Sequence, residues 1–108
     1  MKHSTKETEP QKKGFWIPIE IWNLKNISTM ERLILAELSN FDQSEGCYSS
    51  NAYLAKLMHL STDRVSKIIS KLNKLNYIHL KLIYVDGTKQ VYRRFIRINY
   101  KTIYKSDN

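Results

Sequence analysis

Residues 61–76 read STDRVSKIISKLNKLN. Val65, Ile68, Ile69, Leu72 and Leu75 recur at helical spacing and form one apolar stripe. Ser61 suits an N-cap, Asp63 suits the positive end of a helix dipole, and Asn76 suits a left-handed stop. The opposite face carries Thr62, Asp63, Ser66, Lys67, Ser70, Lys71 and Lys74, with no large apolar group. A face of that kind fits a DNA major groove, with short side chains near bases and lysines near phosphates. Taken alone, such a face is more commonly that of an ordinary solvated amphipathic helix, and the flanking sequence decides between the two.

Upstream, Ser50 caps a predicted helix over Asn51 to Met58 that turns Leu54, Ala55, Leu57 and Met58 inward. Ala55 provides the small residue that two closely crossing helices need. A helix, a tight turn at His59 and a second apolar-striped helix make the helix-turn-helix pattern. Glycine is usual at that turn; His59 must here take the left-handed conformation. Earlier still, Ser28-Thr29-Met30-Glu31 is a capping box that opens a helix to Asn40. Its stripe is Met30, Leu33, Ile34, Leu38 and Phe41, widened by Leu35.

Downstream, residues 77–85 alternate, Asp86-Gly87 signals a turn, and VYRRFIRIN over 91–99 is the returning strand. A two-residue loop would pair even positions with odd ones. A three-residue loop ending at Gly87 pairs even with even and buries more apolar surface, so it is the expected register. Tyr92, Ile96 and Ile98 then share the face of Ile78, Leu80 and Leu82, and Lys81, Arg93 and Arg97 gather on the outer face. Arg93, Arg94 and Arg97 serve DNA contact or protection of a strand edge; the two readings are comparable for Arg97, and Arg93, nearer the tip, fits contact better.

The remaining segments are read as flank. Residues 1–14 form a disordered polar arm and 100–108 a C-terminal tail or linker start, leaving 15–99 as one domain. In FWIPIEIWNL, Pro18 suits the first helical position, and Trp16 and Trp22 are expected to pack over the core. Residues 41–48 are expected as a surface loop whose Asp42 and Glu45 lack the further oxygens of a calcium site.

The chain has 108 residues and a net charge of +8, which points to an anionic partner. Residues 1–47 hold six Lys/Arg against seven Asp/Glu, whereas residues 48–105 hold twelve against two. The charge is thus concentrated in the half that carries the helix-turn-helix and hairpin, as an electrostatic footprint requires. Cys47 is the only cysteine, and no apolar run suggests a leader or a span, so a cytoplasmic protein off the membrane is expected. No phosphate-cradling glycine loop, carboxylate cluster or nucleophile with a spaced base is present. An enzyme, a metal site or a cofactor is therefore not expected.

Together these segments predict a mostly α fold with a small antiparallel β wing, a winged helix-turn-helix. FWIPIEIW, STMERLILAEL, GCYSSNAYLAKLMHLSTDRVSKIISKLNKLNYI and YRRFIRIN resemble the winged-helix domain of phage and plasmid replication proteins, the replisome organisers and replication initiators. The resemblance runs from about Phe15 to Asn99. It implies binding to double-stranded origin or operator DNA, with replisome proteins as further partners. It places Thr62, Arg64, Ser66, Lys67, Ser70 and Lys71 on a recognition helix, Ser50 and Asn51 at a helix end facing a phosphate, and Lys89 and Arg93 in the wing. Thr62, Ser66 and Lys67 are the expected base readers. Ser50, Asn51, Arg64, Ser70, Lys71, Lys74, Lys89 and Arg93 are the expected phosphate ligands. The rival readings are a transcriptional repressor of a mobile element and a protein-docking module of a replisome or transfer complex. Nothing in the sequence sets an oligomeric state.

Overall fold

The computed structural model describes residues 14–41 and 50–105. Residues 1–13, 42–49 and 106–108 lie outside it, and with them the expectation of an arm over 1–14, save Gly14, and those for Asp42, Glu45 and Cys47. In order, the elements are α1 (Ile19–Trp22), α2 (Thr29–Asn40), α3 (Asn51–Met58), α4 (Thr62–Lys74), β1 (Ile78–Tyr84), β2 (Val91–Ile98) and α5 (Tyr100–Lys105). The fold is a winged helix-turn-helix: helices closed by a two-stranded antiparallel sheet.

The capping signals act as their chemistry requires. Ser28 Oγ accepts from the Glu31 amide at 3.2 Å, and Glu31 Oε1 accepts from the Ser28 amide at 2.7 Å. Ser50 and Ser61 cap α3 and α4 by accepting the amides of Tyr53 and Arg64, each at 3.0 Å. His59 sits at φ 59° and ψ 43°, in the left-handed region. The Leu60 amide reaches back to the Ala55 carbonyl at 2.9 Å and closes the turn. Asn76, at φ 71°, does the same after α4, where the Tyr77 amide donates to the Leu72 carbonyl at 3.0 Å.

The core gathers Ile34, Leu35 and Leu38 of α2, Leu54, Ala55 and Met58 of α3, and Val65, Ile68, Ile69 and Leu72 of α4. Ile78, Ile96 and Ile98 cover it from the sheet. Phe41 departs from the expected stripe. It is 39% exposed, because the backbone already leaves the helix there, and its ring meets Tyr53 edge-on at 6.2 Å. Glu37 is buried in α2. The Tyr53 hydroxyl is pushed above the usual phenol range, first by burial and then by the Glu37 carboxylate.

Two expectations for the segment before α2 are corrected. Trp16 and Trp22 do not seal the core: they are 72% and 46% exposed, and Ile19 is exposed beside them. Pro18 is the cap rather than the first residue of α1, and α1 is a single turn. One turn can bury only one direction, and Ile21 takes it, followed by Leu24 and Ile27. Arg32 then lies over the Trp22 ring at 5.5 Å while its Nε and Nη2 donate to the Leu24 carbonyl.

The hairpin loop is longer than three residues. Ile78 pairs with Ile98, Leu80 with Ile96 and Leu82 with Arg94, so even positions do face even ones, up to an irregularity between Ile83 and Tyr84. The connection runs over 85–90. Thr88 explains its length: its amide and hydroxyl both donate to the Val85 carbonyl, and its Oγ1 accepts the Gln90 amide at 3.1 Å. Leu82, meant for the inner face, is 40% exposed, because the strand there has run past the core. The side chain of Tyr92 lies outside the described residues.

Tyr100–Lys105, expected as tail or linker, is a short helix with Ile103 fully buried in the core. Asn99 fixes its start. Its amide donates to the Tyr77 carbonyl, and its Nδ2 donates to the Asn76 carbonyl and to Thr102 Oγ1. One side chain thereby ties the end of the sheet, the end of α4 and the start of α5.

Candidate nucleic-acid interface

The stripe of α4 is buried at Val65, Ile68, Ile69 and Leu72, while Thr62, Asp63, Arg64, Ser66, Lys67, Ser70, Lys71 and Lys74 are all exposed. The proposed base readers and four of the proposed phosphate ligands thus share one solvent-facing surface, backed along its length by core. Ser50 is exposed at the start of α3, with its hydroxyl occupied as the cap. Asn51 is only half-exposed, and its Oδ1 is buried with no hydrogen-bond partner among the described residues. That atom is an acceptor and repels a phosphate, so any contact from Asn51 must come from its backbone amide or side-chain nitrogen. Lys89 is exposed in the hairpin loop and Arg93 on β2.

Two of the lysines are held by carboxylates. Lys67 Nζ lies 3.3 Å from Asp63 Oδ2, with both side chains more than three-quarters exposed. An exposed pair one turn apart contributes only about 0.3–0.5 kcal/mol, less than a base contact at about 1–3 kcal/mol, so Lys67 is free to exchange Asp63 for a base. Lys71 differs. Its Nζ donates to Glu31 Oε1 at 3.0 Å, and the Glu31 side chain is only 12% exposed. Burial alone would raise the Glu31 carboxyl. The Ser28 amide, the Lys71 ammonium and the Ser28 hydroxyl together outweigh burial and hold it below the usual carboxylate value. Lys71 is therefore first a strut between α4 and α2, and it reaches a phosphate only with what its remaining donors allow. The sequence offered the Asp63–Lys67 spacing but gave no sign of Glu31–Lys71, since forty positions separate the partners.

The hairpin projects past the core: every residue from Lys81 to Gln90 is exposed. Gly87, at φ 72°, makes the turn. Its strands follow α4 directly, so a cationic projection stands next to the exposed helix in the chain. A family model for the helix-turn-helix domain matches residues 25–78, which run from the approach to α2 into β1. The chain belongs to the helix-turn-helix domain family. No curated protein and no solved structure matches it. A helix-turn-helix domain is a DNA-binding domain, and double-stranded DNA is the partner that suits this one. The match covers the three helices of the helix-turn-helix domain and ends where the wing begins. Among the described residues, no helix is long and apolar enough to cross a membrane, and no three His, Cys, Asp or Glu side chains gather as a metal site.

Proposed function

We propose that this helix-turn-helix domain binds double-stranded DNA sequence-specifically in the replication initiation, or replication control, of a phage, plasmid or other mobile element. The observation that carries the DNA reading is the exposed face of α4, short polar side chains and cations over a fully buried stripe. The replication assignment rests on the resemblance of residues 15–99 to replication-protein winged helices. In this reading Thr62, Ser66 and Lys67 meet base edges. Arg64, Ser70, Lys74, Lys89 and Arg93 meet phosphates, together with Lys71 within the limits of its Glu31 tie and the α3 start at Ser50 and Asn51. The protein works in the cytoplasm, without catalysis, metal or cofactor. Repression of a mobile-element promoter uses the same contacts and differs only in where the sites lie.

Two experiments test this. Capture of genomic fragments followed by sequencing separates the roles: sites at a replication origin support the proposal, sites at promoters support repression. Duplex titration by fluorescence anisotropy at several salt concentrations tests DNA binding itself. With about four or five phosphates neutralised, log affinity against log salt is expected to fall with a slope near −4. The Lys89→Ala variant should be shallower by about one and keep its sequence preference. A flat dependence, or no duplex binding at low salt, would favour protein docking, a reading that the exposed Trp16, Ile19 and Trp22 recommend.

A further inference from the structure

The cross-strand register sorts the wing into two faces. Ile78, Leu80, Ile96 and Ile98 turn toward the core. The outer face therefore carries His79, Lys81 and Ile83 from β1 opposite Arg97, Phe95 and Arg93 from β2. No acidic residue is among these six. Lys81, Ile83, Phe95 and Arg97 line an open depression of about 390 Å³. Phe95, half-buried, sits directly across from Lys81 and between Arg93 and Arg97 along its own strand. At the rise of an extended strand, those two arginines stand roughly 13 Å apart.

An apolar ring at the centre of three cations asks for a ligand that is anionic at its edge and flat and apolar at its middle. We infer that this outer face of the wing binds single-stranded nucleic acid, with an unpaired base stacked on Phe95 and Ile83 and its flanking phosphates met by Lys81, Arg93 and Arg97. A duplex backbone answers the cations but offers the ring no flat apolar face, because its bases are already stacked on their neighbours. An unpaired base has a free face, and base–aromatic stacking inside a positive groove is the general chemistry of single-strand binding. Apart from Arg93, which the duplex reading also uses, the site is built from residues outside that reading, and Phe95 in particular lies outside it, so substitutions at Phe95 test the two readings separately.

The test is anisotropy of a labelled oligothymidine of about 12 nucleotides at low salt, beside a labelled duplex, on the whole chain and on three variants. Phe95→Ala is expected to weaken oligothymidine binding roughly tenfold or more, the effect of losing one base–aromatic stack. Phe95→Leu, which keeps the apolar volume and so guards against misfolding, should weaken it similarly. Phe95→Trp should restore it. Duplex affinity should change less than about twofold in all three. The inference is overturned by an oligothymidine affinity that Phe95→Leu leaves unchanged, by equal losses for oligothymidine and duplex, or by a wing that binds an acidic peptide and no oligothymidine.

Discussion

Lys67 shows how little holds a side chain meant to read a base. Its partner Asp63 is as exposed as itself, so Lys67→Ala should leave stability within about 0.5 kcal/mol. It should instead blur sequence preference, cutting specific affinity by about 1–3 kcal/mol more than affinity for random duplex. Equal losses on the two duplexes would reduce it to a phosphate contact. Glu31 makes the opposite case. Its carboxyl is held below the ordinary value of 4.5 in the folded chain. The unfolded chain therefore takes up that proton first as pH falls. The stabilisation is present above about pH 4.5 and is lost as pH drops through the lowered folded value. Glu31→Gln keeps a side-chain oxygen for the Ser28 amide but loses the charge facing Lys71. Chemical denaturation across acid pH should show a shallower decline for that variant, and an identical decline would mean that the Glu31 carboxyl titrates alike in the folded and unfolded chain. The caps were readable in the sequence because each is set by neighbours within one turn. The Lys71 strut was not, because it exists only once α4 is laid against α2.

The two non-glycine turns carry the geometry at the level of elements. His59 occupies a left-handed position that costs a side-chain-bearing residue about 1–2 kcal/mol, and glycine gives some of that back as unfolded-state entropy. His59→Gly should therefore raise stability by about 0.5–1 kcal/mol in a denaturant titration. A loss would show that the imidazole makes a stabilising contact. The helices were legible from period and capping, down to Asn51–Met58. The parity of the hairpin register was legible as well, since one face had to be buried. Its loop length was not: Thr88 sets it by three local hydrogen bonds that alternation does not encode. Nor was α5 legible as a helix. A six-residue polar segment shows one buried residue, Ile103, too few to establish a period.

Across the described residues, α4 and the wing carry most of the cations, while the exposed Trp16, Trp22, Tyr100 and Tyr104 lie on or beside α1 and α5, the two tyrosine rings tilted to each other at 6.0 Å. The strongest sequence signal, the charge asymmetry between halves, follows that division only in part, since Lys101 and Lys105 of α5 belong to the basic half. The weakest was the destination of the tryptophans, since aromatic content states how much can be buried but not which ring reaches the core first.

That destination has an optical consequence. Both indoles lie on or beside α1, which packs on α2 and α5 and leaves α4 to the other helices. The intrinsic emission of the folded chain should already resemble that of a hydrated indole, apart from whatever Arg32 imposes on Trp22. Unfolding should shift its wavelength little, and saturation with duplex should leave it nearly constant. A spectroscopist who follows tryptophan would record an almost silent protein while circular dichroism melts and labelled DNA binds; a large blue shift or strong quenching on adding duplex would instead place the nucleic acid against α1.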